Sequence, residues 1–387
     1  MIPLKGIKVL DCSNLLPGPY CTMMLAAMGA DIIKVETTGK GDFLRMMLPE
    51  CFQYLHRGKK SITLNLKTDK AKEIFYSLVK DVDVMLEGFR PGVAKRLGID
   101  FEKIKSINPN IIYTSISGYG QSGPYTSHPG HDIDFQSISG VISITGEPDD
   151  PKGSPIGYQG SDIAGGIFAL ISILSSLLGK KGDESSNAVY LDISMTDSLV
   201  MFMLPRIVEY FAQGAPIRSD FMGRGAYGVF EAKDHKYLSL GVVEEYFWER
   251  LCKLMDMNDL FNDPELKTWK GRNKNRNKIR PRLLEKFLTK DRDNWVKLLL
   301  EADIPAAPVN DIKDLLNDPQ LKQRQLLGTD ENGNFSIDKT LPFTVPSLIN
   351  DMTNSKTPEL GEHTEVILQK LGYSFNEIQE LKKNGII

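Results

Sequence analysis

Cysteine is scarce in this chain of 387 residues: Cys12, Cys21, Cys51 and Cys252 are the full set, with no CxxC pair and no histidine clustered beside them. That excludes a disulfide framework and the usual zinc sites, leaving buried free thiols as the expectation, with no metal and no separate cofactor. An excess of one charge sign is also missing. Forty-seven Lys and Arg against 50 Asp and Glu give a net charge of -3, which offers no general attraction for nucleic acid or anionic membrane. The opening MIPLKGIKVLDCSN lacks a charged-then-apolar leader with a small-residue cleavage site, so the expectation is a cytoplasmic protein. The longest apolar stretch, Ile163 to Leu178, falls short of the roughly 20 residues that a bilayer requires and carries Gly165, Gly166 and several serines. It reads as a buried helix.

Two nucleotide signatures are absent as well. After the first apolar strand the sequence runs SNLLPGPYC rather than GxGxxG, and no Walker motif appears, so dinucleotide and ATP binding lose their main support.

What is present is an alternation of strand and helix. Ile7 to Asp11 reads as a strand, a Pro/Gly turn at Pro17, Gly18 and Pro19 leads into a helix from Tyr20 to Met28, and Ala30 to Glu36 returns as a strand. Further strands are expected at Ile62 to Leu66, Val82 to Leu86, Ile111 to Ser117 and Tyr190 to Ile193, with an amphipathic helix at Ala71 to Lys80. The fold class is α/β: a large Rossmann-like parallel sheet over 1–200, a smaller α+β domain over 220–325, and a C-terminal segment, 326–387, returning to the large domain. The small domain is expected to hold a hairpin at Tyr227 to Phe230 and His235 to Leu240, and helices at Tyr246 to Met255 and Pro281 to Leu288; a helix at Asp197 to Gln213 precedes it. The basic run Lys270 to Arg282 lacks interleaved aromatics and reads as a solvated charged face. Pro-rich stretches at Pro305 to Pro308 and Pro342 to Pro346 are candidates for carrying the chain back to the first domain.

In a parallel sheet the ligand sits beyond the carboxyl ends of the strands. There the Gly/Pro-dense segment Gly118 to Phe135 ends in GHDIDF, placing His131, Asp132 and Asp134 together. A rigid loop histidine suits acid/base work, and also suits a purely structural role. Asp162 opens the apolar helix; it reads equally as an N-cap or as a carboxylate that glycines leave open to a ligand. Arg57, Lys59, Lys60, Lys67, Arg90, Lys95 and Arg96 lie on successive loops, either gripping phosphates or simply solvated. Met23, Met24, Met195, Met201 and Met203 fit an adaptable apolar pocket or plain core.

Taken together, LPGPYCTMMLAAMGADIIKVE, LHRGKKSITLNLK, EGFRPGVAKRLG, SGYGQSGP and GHDIDF resemble the family III coenzyme A transferase and racemase family of CaiB/BaiF type, and within it the α-methylacyl-CoA racemases. The resemblance runs from about Leu4 to Ser198, and more loosely to Val309. It implies an acyl-CoA substrate, and a large and a small domain in two subunits threaded as interlocked rings. Transferases of the family carry an aromatic where this chain has His131, so the resemblance implies racemase chemistry first: His131 and Asp162 as two bases inverting the α-carbon through an enolate, with Glu244 holding the imidazole. The alternative it implies is a CoA-transferase in which Asp162 attacks the thioester and forms a mixed anhydride. Coenzyme A contacts map by resemblance onto Leu64, Asn65, Leu66, Lys67, Gly88, Phe89, Arg90, Arg96, Gly130, Asp132, Ile133, Asp134 and Phe135. Three departures bear on substrate preference: Thr37 where racemases carry arginine, Phe135 where they carry tyrosine, and GRGAYGVF at Gly223 to Phe230.

Overall fold

The structure is a computed structural model that describes residues 2–147, 152–180, 187–214, 218–221, 224–324, 327–329, 335–337 and 355–387. The chain divides into two compact units: residues 1–139, 157–203 and 325–387 form one, residues 140–156 and 204–324 the other. The segment 140–156, expected in the large domain, thus belongs to the second unit. Its backbone is tied there, since Arg218 donates to the carbonyls of Ser143 and Glu147.

In the first unit six strands form one parallel sheet: β1 Lys8–Cys12, β2 Asp31–Glu36, β3 Lys60–Thr63, β4 Val84–Glu87, β5 Ile112–Ser117 and β6 Val189–Ser194, in the order β3-β2-β1-β4-β5-β6. The central strands are buried along nearly their whole length because helices cover both faces. Side chains alternate between the two cores: Val9, Val84 and Leu86 pack with the helices Pro17–Ala27 and Gly160–Lys180, whereas Leu10 and Met85 pack with the helix Asp69–Val79 and the C-terminal helices Thr364–Lys370 and Phe375–Lys383. Asp69–Val79 is capped by the Thr68 hydroxyl, which accepts from the Ala71 N–H, and it buries Ala71, Ile74, Phe75 and Leu78 at helical spacing. The third strand ends earlier than expected because Asn65 leaves the ladder and donates its N–H to the Ile386 carbonyl.

The apolar helix Gly160–Lys180 has 21 residues, so its length alone suffices for a bilayer. Burial speaks for a core role: Ala164, Gly165, Gly166, Ala169 and Ile173 are covered, while Ile171 and Leu178 face solvent. Gly166 is needed at the crossing with Pro17–Ala27, since a Cβ there would stand 2.7 Å from the Pro17 carbonyl oxygen. Gly166→Val is expected to destabilise the fold by about 2–3 kcal/mol through forced separation of the two helices, read as a lowered midpoint of denaturant unfolding. An unchanged midpoint would show that the crossing tolerates a side chain.

The second unit is built on an antiparallel sheet of β7 Tyr227–Glu231, β8 Tyr237–Gly241 and β9 Ala306–Pro308, over a core including Phe230, Trp248, Leu251, Phe287 and Trp295. Two expectations are corrected here. The stretch Pro305 to Pro308 does not lead the chain away: Ala306, Ala307 and Pro308 pair with β8, an edge position where proline's missing N–H does no harm. Pro342 to Pro346 lies outside the described residues. Nor is the basic run Lys270 to Arg282 wholly solvated. Arg272 is fully buried, donating to the carbonyls of Val243, Leu266 and Lys267, with its guanidinium 5.6 Å from the Trp248 ring centre. Carbonyl dipoles and an aromatic face replace water around that charge, which composition alone does not reveal.

Candidate active site

Strand order reverses between β1 and β4, and the loops leaving their carboxyl ends, residues 13–17 and 88–91, open the crevice that such a reversal creates. Two cavities meet there. A cavity of about 530 Å³ is lined by Asn14, Thr37, Leu64, Asn65, Leu66, Lys67, Phe89 and Arg96 among others. A second, of about 270 Å³, is lined by Asn14, Leu15, Gly88, Phe89, Arg90, Tyr119, His128, Gly130, His131, Phe135 and Asp162 among others. Asn14 and Phe89 belong to both walls.

His131 and Asp162, about thirty residues apart in sequence, thus line one cavity, and Asp132 is the reason. Its carboxylate accepts from the Ser161 N–H at 2.8 Å, the Ser161 hydroxyl at 2.5 Å and, more weakly, the Asp162 N–H at 3.4 Å, while its other oxygen accepts from the Gln136 amide at 2.5 Å. The start of the helix Asp132–Ile138 is thereby pinned to the start of Gly160–Lys180. Asp162 is therefore not the N-cap. It is the third residue of its helix, Asp132 meets the exposed amides, and the Asp162 carboxyl accepts no hydrogen bond among the described residues. Burial, and then the nearby Asp132 charge, push its pKa up to about 7. The helix N-terminus acts the other way, favouring the anion.

Of the remaining GHDIDF residues, Gly130 and Phe135 line the smaller cavity. Asp134 accepts from the His131 N–H at 2.9 Å, Ile133 is exposed, and neither lines either cavity. Phe135 is 3% exposed, and its ring lies under the loop: a Cβ on Gly118 or Gly130 would fall 2.4 or 2.6 Å from it. The missing hydroxyl at Phe135 therefore falls in the packed floor of the cavity. His131 itself is exposed towards the cavity. Glu244 is the exposed N-cap of the helix Glu245–Leu254 in the second unit.

Of the basic loop residues, Lys67, Arg90 and Arg96 line the cavities. Lys59 is buried against Thr22 and Asp11, and Lys60 pairs with Asp31. Of the methionines, Met23 and Met24 are core, Met195 borders the smaller cavity and Met201 is exposed. Sequence reasoning missed Asn14, Leu15, Tyr119 and His128. The signal for Asn14 and Leu15 was available in the topology, since they stand in the loop that leaves the carboxyl end of β1, whereas Tyr119 and His128 lie inside the Gly/Pro-dense segment Gly118 to Phe135, where His131 drew the attention. Glu87, at the end of β4, was missed for the opposite reason: it is buried, and one of its oxygens accepts from the Phe89 N–H at 2.7 Å. Burial pushes its pKa up to about 7.

The sequence profile of CoA-transferase family III matches residues 4–364. The acetyl-CoA:oxalate CoA-transferase of Acetobacter aceti is 33% identical over 84% of this chain and 85% of its own. The succinyl-CoA:glutarate CoA-transferase of Homo sapiens is 31% identical over 100% and 90%. Among solved structures, a CaiB/BaiF family protein from Brucella suis superposes with a TM-score of 0.82 at 30% identity, covering 95% of this chain and 99% of that one. By the reach of that profile and the coverage of these relatives, this chain belongs to CoA-transferase family III.

Proposed function

We propose that the protein moves coenzyme A from an acyl-CoA thioester to a free carboxylic acid, with Asp162 as the nucleophile. The observation that carries this reading is the Asp162 carboxyl: it lines a cavity at the switch point, free of hydrogen-bond partners among the described residues and pushed up to about 7 by burial. The transferase names of the relatives support it. A desolvated, unbonded carboxylate is a better nucleophile than a hydrated one. Attack on the thioester carbonyl forms an aspartyl-acyl anhydride and expels the coenzyme A thiolate. The thiolate attacks the aspartyl carbonyl, releasing the donor acid and leaving an aspartyl-CoA thioester. The acceptor carboxylate attacks that thioester, and the thiolate then takes the acceptor acyl group and frees Asp162. Atoms balance over the cycle without redox chemistry. Hydroxylamine added during turnover should convert Asp162 to a hydroxamate, found by peptide mass spectrometry; labelling elsewhere, or none while transfer proceeds, would remove Asp162 from the covalent path.

In this reading the adenosine phosphates occupy the larger cavity near Lys67 and Arg96, and the thioester arm passes Asn14 and Phe89 to Asp162. Arg96→Ala should raise KM for acyl-CoA by about 10- to 100-fold with kcat nearly unchanged, the loss of one charge-assisted contact made equally in ground and transition states. A fall in kcat alone would place Arg96 at the reacting end.

A second reading, inversion of a 2-methylacyl-CoA by His131 and Asp162, is favoured by one observation: both side chains line the same cavity. Deuterated water separates the two. The transferase reading expects no label at the α-carbon of (R)-2-methylacyl-CoA, whereas label with inversion would support two-base chemistry; Glu244 as the holder of the imidazole belongs to that second reading. Self-association as a homodimer belongs to the same proposal. It is supported by Met201, Phe202, Val208 and Phe211, large apolar side chains exposed on the helix Met195–Gln213; sedimentation measures it.

A further inference from the structure

The loop after β1 holds a conformation that its sequence does not favour. Leu15 has φ of 63°, in the left-handed region that a residue with a Cβ rarely adopts. Such a backbone persists only where its surroundings impose it. Two fully buried charges do so here. Asp42 Oδ1 accepts from the Leu15 N–H at 3.1 Å and from the Leu44 N–H at 3.0 Å. Lys34 Nζ donates to the Ser13 carbonyl at 2.8 Å and lies 2.9 Å from Asp42 Oδ2. The Asp42 N–H in turn donates to Glu36 Oε2 at 2.9 Å, and Arg45 grips both oxygens of Glu36. Asp11 fixes the other end of the loop, accepting from the Ser13 N–H at 3.0 Å and the Ser13 hydroxyl at 2.5 Å.

None of Asp11, Lys34 or Asp42 lines either cavity, but what they hold does: Asn14 is on both walls and Leu15 on the smaller one. Desolvating a lysine and an aspartate is costly, and well-packed apolar side chains would stabilise the fold as well. The loop they shape accounts for their presence better than stability does. We propose that Asp42, locked by Lys34, is a positioning residue for turnover: it holds Leu15 left-handed and so sets Asn14 as the partition past which the thioester arm runs. This rests on the reading that acyl-CoA occupies the two cavities.

The test is a double-mutant cycle of Asp42→Ala with Leu15→Gly, read as kcat/KM for acyl-CoA and as the dissociation constant of free coenzyme A by calorimetry. Glycine enters the left-handed region unaided. Asp42→Ala is therefore expected to lower kcat/KM by about 30-fold beside Leu15 but by less than about 3-fold in the Leu15→Gly background. A general weakening of the fold would cut both backgrounds equally, and equal losses overturn the proposal. If Asp42→Ala does not fold, Lys34→Met replaces it in the same cycle under the same criterion. Failure of the underlying reading looks different: a wild-type protein that neither binds coenzyme A nor turns over a thioester leaves the cavities without their occupant and takes the proposal with it.

Discussion

Asp162→Asn is expected to lower transfer by at least about 10⁴-fold, the scale on which loss of a covalent nucleophile acts, and at the same time to make the protein more stable at pH 8. The second effect follows from the raised pKa. Asp162 ordinarily titrates at 3.8 and is pushed up to about 7 here, by burial first and the Asp132 charge second. The fold therefore prefers the protonated carboxyl. Its contribution to stability is complete below the ordinary value and is lost as pH rises through about 7. Three pKa units correspond to about 4 kcal/mol, and because Asp162 is partly exposed the share expected in practice is about 2 kcal/mol. Asparagine carries no charge to desolvate. The variant and the wild type should melt together near pH 4 and separate by several degrees above pH 7, the variant higher. A variant that melts lower at pH 8 would mean that the carboxylate is held by partners rather than strained by burial.

The second large effect is expected at Asp132, which lines neither of the two cavities described but ties the helix start beside His131 to the one that carries Asp162. Asp132→Asn removes a negative charge that raises the pKa of Asp162, so the acid limb of the kcat/KM profile should move to lower pH. Asp132→Ala goes further, leaving the Ser161 and Asp162 N–H groups without the acceptor they share. A lost helix cap costs about 1–2 kcal/mol, and freeing Asp162 from its fixed start should lower kcat by about 100-fold. Thermal melting and pH-rate profiles of the two variants measure both. If Asp132→Ala retains normal kcat, the hydrogen bonds between the two helix starts do not position the nucleophile. An unmoved acid limb in Asp132→Asn would show that burial alone sets the pKa.

Much of the first unit was legible in the chain. Parallel strands buried on both faces are apolar runs whatever surrounds them, so β1, β2, β4 and β5 fell within a residue or two of their expected bounds. The Thr68 cap and the spacing of Ala71, Ile74, Phe75 and Leu78 announced a helix locally. GHDIDF and the start of the apolar helix drew attention because titratable groups stood among glycines. Less legible was which of those groups serve as framework. Asp132, Ile133, Asp134 and Phe135 looked like one contact motif, yet one caps the neighbouring helix, one is solvated, one caps its own and one is packed floor. Arg272 inside a basic run and Pro308 inside a β-ladder misled for the same reason: their partners are carbonyls and strands remote in sequence.

The sequence by itself determined the α/β class and the alternation that makes the sheet parallel, and it offered His131 and Asp162 as titratable candidates whose residue types alone left structural roles open. Those are local properties, written in periodicity and in the titratable groups themselves. Only the tertiary structure decided that the Asp162 carboxyl accepts no hydrogen bond among the described residues while Asp132 caps its helix, that Asn14 and Phe89 stand on the walls of two cavities, and that Lys34 and Asp42 hold the loop around Leu15. Burial and strand order are properties of the whole packed chain. They govern pKa, backbone strain and the shape of the crevice, and no window of sequence contains them.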